Sequence, residues 1–347
     1  MCGSTSIWNK YIKFSQAMIK GHGDDLYQYS GIKMNFSSNI YTGTDLSALY
    51  SHLSTCMQVV SSYPEPSATS LEQMIAHECG IKPEEVLVTS GAVDAIYLIA
   101  QAYRHLGTCK VMTPTFSEYE DACRVFGYKE CDDAALCWLC NPNNPTGSVM
   151  PVGDVLDLAK RYQLLIVDQS YEDYTLENLL RPADVVDRED IILLHSMTKR
   201  YAVPGLRLGY VTAAPSIIKR LRTQYRPWAI NALSLEAGKW LVAHQLTAIP
   251  NLDEYLDEAQ RLRSMLNEIE GIEAFASMTN FFLCTIAHAT ARELKEYLAH
   301  KHGILIRDAS NFTGLTPHHF RIAAQSPEAN DALVEAIKQF TSSWRNI

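Results

Sequence analysis

From Ile81 onward short apolar runs alternate with segments of helical periodicity, and this alternation constrains the fold more than any other feature of the chain. Val86 to Thr89 reads as a strand, and Val93 to Leu106 has helical spacing through Ile96, Leu98, Ile99, Tyr103 and Leu106. Lys110 to Met112 is strand-like and Glu118 to Phe126 helical; Leu136 to Cys140, Leu164 to Val167, Ile191 to His195 and Leu208 to Thr212 add further strands. Strands separated by helices require crossover connections, which predicts an α/β fold with a mainly parallel sheet covered on both faces. The pattern changes near Leu233, where a helical region runs to about Ile269 with a break around Pro250. Strands at Asn280 to Ile286, Ile304 to Arg307 and Phe320 to Ala323, with helices at Ala291 to His302 and Glu328 to Phe340, predict a smaller α+β domain. No repeat, low-complexity tract or Gly/Ser linker divides the two, so they are expected to pack together.

Composition narrows the class. A chain of 347 residues holds two domains at roughly 150 residues each. It is 47% hydrophobic and 20% charged, enough for a sizeable core and against global disorder. Its 30 Lys+Arg against 39 Asp+Glu give a net charge of −9. That argues against a nucleic-acid partner but leaves room for a local cationic pocket that takes a small anion. The longest strongly apolar stretch, Phe281 to Ala287, is far below the ~18 residues of a membrane span, so no membrane partner is expected. Met1 to Lys20 shows neither an apolar signal core nor a cleavage site. Nine cysteines without framework spacing fit a reducing cytoplasm. The CxxC at Cys137 and Cys140 falls in a strand, where residues three apart face opposite sides, so buried thiols are expected rather than a metal site. The pairs His300/His302 and His318/His319 lack a ligand cluster and read as surface.

Five segments carry chemistry. Ser90-Gly91-Ala92, between a strand and a helix, is either an ordinary turn or a place where backbone N–H groups approach a phosphate. In Pro114 to Tyr119, the Tyr119 ring either packs in the core or lies flat on an aromatic ligand. Asn141 to Gly147 follows a buried strand; such residues form turns, yet the carboxyl ends of strands are where open α/β sheets bind ligands. Leu164 to Asp168 ends in a carboxylate that either caps the next turn or holds a positive heterocycle, with Tyr171 three residues on. Ser196 to Lys199, then Pro204 to Tyr210, bring a hydroxyl, an amine and the Arg207 guanidinium to one neighbourhood. An amine able to form an imine beside phosphate-binding groups is what pyridoxal phosphate requires.

In this order the segments resemble the aspartate-aminotransferase-like superfamily of pyridoxal-phosphate enzymes over essentially the whole chain. The resemblance implies a large domain with a seven-stranded-type sheet sandwiched by helices, residues 41–240, and a small domain, residues 241–347, with residues 1–40 returning to the small domain and the site entrance. It implies Lys199 as the Schiff-base lysine, Asp168 as partner of the ring nitrogen, Asn144 and Tyr171 as donors to the ring hydroxyl, and Tyr119 as the stacking ring. The Gly91 and Ala92 N–H groups, Ser196 and Arg207 would take the cofactor phosphate. Tyr63 matches a tyrosine that reaches the phosphate of a neighbouring subunit, which implies a homodimer with shared active sites. Arg321, in His-Phe-Arg-Ile-Ala, matches the arginine that binds the substrate carboxylate.

Within the superfamily the chain is most similar to the branch of histidinol-phosphate aminotransferase and threonine-phosphate decarboxylase. Gly21 to Asp24, Asn35 to Ile40, Lys199 to Tyr210 and Pro227 to Leu233 resemble the decarboxylase. The implied reaction converts L-threonine O-3-phosphate to (R)-1-amino-2-propanol O-2-phosphate for cobalamin, with Asn39 and Arg321 placing the substrate. Arg307 is the candidate for the substrate phosphate and His22 the second, an exposed N-terminal His being an equal reading of the latter. Departures are Gln169-Ser170 for the usual Glu-Ala, Val93 where a hydroxyl is common, the missing Pro in Asn39 to Gly43, and Gln325 where a second Arg is usual, which is expected to weaken anion binding. Transamination of histidinol phosphate is the alternative. A fold-retaining non-catalytic protein is disfavoured because Lys199 and Asp168 are both present.

Overall fold

The computed structural model describes residues 25–246 and 248–342, so His22 lies outside the described residues. After a first short strand, β1 (Met34–Asn35), seven strands build the large sheet: β2 (Val86–Thr89), β3 (Thr108–Val111), β4 (Lys129–Glu130), β5 (Leu136–Cys140), β6 (Leu164–Asp168), β7 (Ile191–His195) and β8 (Gly209–Thr212). Their order is β2-β8-β7-β6-β5-β3-β4. Strands β3 to β7 run parallel, and β8 is antiparallel to both of its neighbours.

The central strands β5, β6 and β7 are buried at every position, which is why they read as unbroken apolar runs. Leu136, Trp138 and Cys140 face a core shared with Ile96, Ile99, Ile166 and Leu194, under the helices Gly91–Ala102 and Glu118–Val125. Cys137 and Leu139 face the other side, with Leu165, Leu193 and the helix Val152–Ala159. Burial pushes the Cys137 and Cys140 thiols up to about 12 each, which suits packing and not ligation.

The small domain carries β9 (Ile272–Ala274), β10 (Phe281–Ile286), β11 (Ile304–Leu305), β12 (Arg307–Asp308) and β13 (His319–Ala323). Four of these form an antiparallel sheet in the order β12-β13-β10-β9, backed by the helices Leu252–Asn267, Ala291–Tyr297 and Pro327–Ser342. The expected single strand from Ile304 to Arg307 is two short ones, because the chain changes partner there. Leu305 pairs in parallel with Asn35 of β1, whereas Arg307 pairs with Arg321 of β13. The segment before the large domain is thereby held by the small one, and the carboxyl ends of β2, β3, β5, β6 and β7 share one edge of the large sheet. Among the described residues no helix is long and apolar enough to cross a membrane.

Candidate active site

Five of those carboxyl ends and the inner edge of the small domain meet in one cleft. Its lining includes Ala92, Tyr119, Asn144, Asp168, Tyr171, Ser196, Lys199 and Arg207 from the large domain, and Asn39 and Arg321 from beyond it. Residues scattered from 39 to 321 therefore converge in one cleft.

The phosphate-type end is a turn followed by a helix. Gly91 has φ +82, and a Cβ there would lie 2.6 Å from Arg207 Nη2, so glycine serves both the turn and the approach of the guanidinium. Arg207 itself is left-handed, φ 52, with Nη1 donating to the Pro204 carbonyl at 3.2 Å. Gly209 is equally constrained, since a Cβ would meet the Gly91 carbonyl carbon at 2.9 Å. Ser196, nearly buried, precedes the short helix Met197–Arg200 that carries Lys199. Helix N-terminal N–H groups, a hydroxyl and a guanidinium are the donor set a phosphate takes.

The middle of the cleft is polar and buried. Asp168 Oδ2 accepts from the Tyr119 hydroxyl at 2.7 Å and Oδ1 from the Ser170 N–H at 2.8 Å. Burial pushes the Asp168 carboxyl up, while the Ser170 and Tyr119 hydrogen bonds pull it back. Tyr119 is stacked on Trp138, with centroids 5.3 Å apart and planes 14° from parallel. Burial also lifts the Tyr171 phenol to about 12, so it is a neutral donor near pH 7. Asn39 Nδ2 donates to the Tyr171 oxygen at 3.3 Å, and the Lys199 Nζ lies 5.6 Å from the Tyr171 ring centre.

Arg321 links the domains. Its guanidinium donates to Asn144 Oδ1 and to the Ser37 carbonyl, and it lies 5.8 Å from the Phe281 ring centre. Arg307 is buried directly across from it on β12, one strand further from the cleft, with Nη2 donating to Asn311 Oδ1 at 3.0 Å. Tyr63 is not in the cleft; it is 88% exposed and tilted against Trp228 at 5.6 Å. Gln325 does not line the cleft either, because its side chain accepts from Thr42 Oγ1 at 2.7 Å and donates to the Asn35 carbonyl at 3.2 Å. Its side chain is therefore taken up by the segment of residues 35–42 and not by the cleft.

Three further lining residues, Ser37, Phe116 and Thr198, were not singled out by sequence. Their signal was adjacency alone: Ser37 is two residues from Asn39, and Thr198 adjoins Lys199. Ser37 Oγ, Asn39 Oδ1 and Thr198 Oγ1 are buried without hydrogen-bond partners in the chain. Buried polar atoms are rarely left so, and these three line the space a polar ligand would fill. With the phosphate cradle, Asp168 and Lys199, the residues present fit pyridoxal phosphate.

Similarity to known proteins agrees with this geometry. Residues 31–136 and 128–337 match the family model described as aminotransferase class I and II. The chain is 30% identical over 345 residues to a protein of Caldanaerobacter subterraneus subsp. tengcongensis named "Putative threonine-phosphate decarboxylase", covering 91% of this chain and 93% of that one. It is also 30% identical over 311 residues to the histidinol-phosphate aminotransferase of that organism, covering 82% and 85%. The solved L-threonine-O-3-phosphate decarboxylase from Porphyromonas gingivalis superposes with a TM-score of 0.86 at 35% identity, over 89% of this chain and 100% of that one. The chain belongs to the aminotransferase class I and II family, which depends on pyridoxal phosphate.

Proposed function

We propose that the protein decarboxylates L-threonine O-3-phosphate to (R)-1-amino-2-propanol O-2-phosphate, a building block of the cobalamin nucleotide loop. The observation that carries this reading is the pair of buried guanidiniums in register on neighbouring strands, Arg321 lining the cleft and Arg307 directly across from it on β12. A substrate bearing a carboxylate and a phosphate suits two such cations, and bidentate guanidiniums are apt for both groups. The likeness to the Porphyromonas gingivalis decarboxylase supports the same substrate.

Bound pyridoxal phosphate supplies an electron sink for a bond broken at the substrate Cα. Ser196, Arg207 and the Gly91 and Ala92 N–H groups would hold its phosphate. Asp168 would keep a proton on the ring nitrogen, Asn144 and Tyr171 would donate to the ring hydroxyl, and Tyr119 would cover the ring. Lys199 would hold the cofactor covalently, and its amine would serve as the proton donor at the substrate Cα. Arg321 binds the substrate carboxylate. The choice between decarboxylation and transamination would rest on which Cα bond the surrounding residues hold in position for cleavage. Arg321, fixed by Asn144 and Ser37, would set the direction of the carboxylate.

Tyr50, Met57, Val60, Tyr63 and Trp228 expose apolar surface on neighbouring segments, which supports a homodimer in which Tyr63 reaches the phosphate held by the other copy. The alternative, histidinol-phosphate aminotransferase, is favoured by an equal identity to that enzyme. Incubation with L-threonine O-3-phosphate separates the two. The proposal expects CO₂ and the amino-alcohol phosphate without any 2-oxo acid, and the alternative expects glutamate from 2-oxoglutarate with histidinol phosphate.

A further inference from the structure

Behind the cleft lies a buried polar array that the proposed reaction does not use. Asp168 is in register with Leu194, so the two share a face of the sheet, and His195, the next residue, points to the other face. His195 is 1% exposed. Its Nδ1 lies 3.0 and 3.1 Å from the two Glu172 carboxylate oxygens, and because a carboxylate only accepts, Nδ1–H donates. Nε2 is 2.9 Å from Thr212 Oγ1, and the ring stacks on Tyr210 at 4.4 Å and 15°. Both nitrogens and one ring face are thus committed.

Glu172 is the first of three consecutive residues that each grip the segment bearing Lys199. An Asp173 carboxylate oxygen lies 3.9 Å from Arg200 Nε, and Arg200 is also paired with Glu78 at 2.6 Å. The Tyr174 hydroxyl donates to the Lys199 carbonyl at 3.0 Å. The turn after Asp168, which carries Tyr171, is therefore fastened to residues 195, 199 and 200 of the next strand and turn. The His195–Glu172 tie, buried on the histidine side, joins the residue after Tyr171 to the residue before Ser196.

We propose that His195 and Glu172 are a positioning pair that fixes the Tyr171 turn against the Ser196–Lys199 turn and so orients the cofactor ring between them. The proposal rests on the pyridoxal-phosphate reading above. A flexible lysine and a phenol on separate turns keep a productive geometry only if their roots are held, and small displacements of such groups cost about 100-fold in rate.

The test compares His195→Phe, which keeps the stack on Tyr210 and loses both hydrogen bonds, with His195→Gln, which restores a donor toward Glu172. Each is purified with pyridoxal phosphate and read by visible circular dichroism of the bound cofactor, which reports how firmly the ring is held. The proposal expects H195F to lose at least half of the visible dichroic band, with kcat down roughly 10- to 100-fold and KM changed less than about threefold. It expects H195Q to recover most of the band. If H195F does not fold, Glu172→Ala breaks the same tie from the other end and is expected to lose the band likewise. A wild-type band retained in full by H195F, or by E172A in its place, overturns the proposal, as does a loss that H195Q fails to recover. A wild-type protein with no visible band at all removes the cofactor reading, and the positioning role with it.

Discussion

Asp168 ends the buried strand β6 at 3% exposure, and its two oxygens accept from the Tyr119 hydroxyl and the Ser170 N–H. Burial dominates and raises its protonation range above that of an ordinary carboxylate, near 3.9. The folded chain without cofactor thus binds this proton more tightly than the unfolded chain does. Its contribution to stability is whole below the ordinary carboxylate range and is lost as pH rises through the raised one. A protonated ring nitrogen beside the carboxylate would reverse that cost, so the gap in melting temperature between loaded and cofactor-free protein should widen from pH 4.5 toward neutrality. Asp168→Asn should raise the melting temperature of the cofactor-free protein at pH 7 while lowering kcat by roughly 100-fold or more. A scanning-fluorimetry series with and without pyridoxal phosphate checks both signs. At Gly91, a Cβ would strike the Arg207 guanidinium and demand φ +82 of an L-residue. Gly91→Ala should cost about 1–3 kcal/mol in backbone strain and weaken cofactor binding measurably in a fluorescence titration.

At the scale of elements, Tyr174 joins three pieces of chain. Its hydroxyl accepts from the Tyr41 N–H and donates to the Lys199 carbonyl, both at 3.0 Å. Tyr174→Phe should lower stability by about 1–3 kcal/mol in urea denaturation, the cost of leaving buried groups unpaired. The strands β5, β6 and β7 were legible in the sequence because both faces are covered and the apolar runs are unbroken. β4 was not, since Lys129 and Glu130 are exposed and pair only along one edge. The helix Ser47–Thr55 was missed for a related reason: it buries only Leu49 and leaves little periodic signal. The site followed the same rule. Residues at strand ends announced themselves through the turns they occupy. The Arg321–Asn144 and Arg321–Ser37 bonds span 177 and 284 positions, and the His195–Glu172 pair forms only when two turns are laid side by side. No local pattern encodes those.

At the scale of the whole molecule, the acidic balance of −9 conceals a cationic interior. Lys199, Arg207 and Arg321 line the cleft from two separate sheets, and Arg307 lies across from Arg321 on β12. Tyr63, at 88% exposure, and Trp228, at 51%, leave an aromatic surface that a second copy is expected to cover. Sedimentation equilibrium should give a dimer for the wild type and a monomer for Trp228→Glu. Tyr63→Phe should remain dimeric yet bind pyridoxal phosphate roughly 10-fold more weakly, the loss expected for one hydrogen bond to a charged group.

The central claim concerns what happens at the substrate Cα, and a product assay reads it directly. The purified protein, loaded with pyridoxal phosphate, is given L-threonine O-3-phosphate with and without 2-oxoglutarate, and CO₂ and glutamate are measured together. The account predicts CO₂ release at the same rate in both arms, no glutamate, and little reaction with L-threonine lacking the phosphate. Glutamate formation that requires 2-oxoglutarate, or equal turnover of the phosphate-free amino acid, would contradict it.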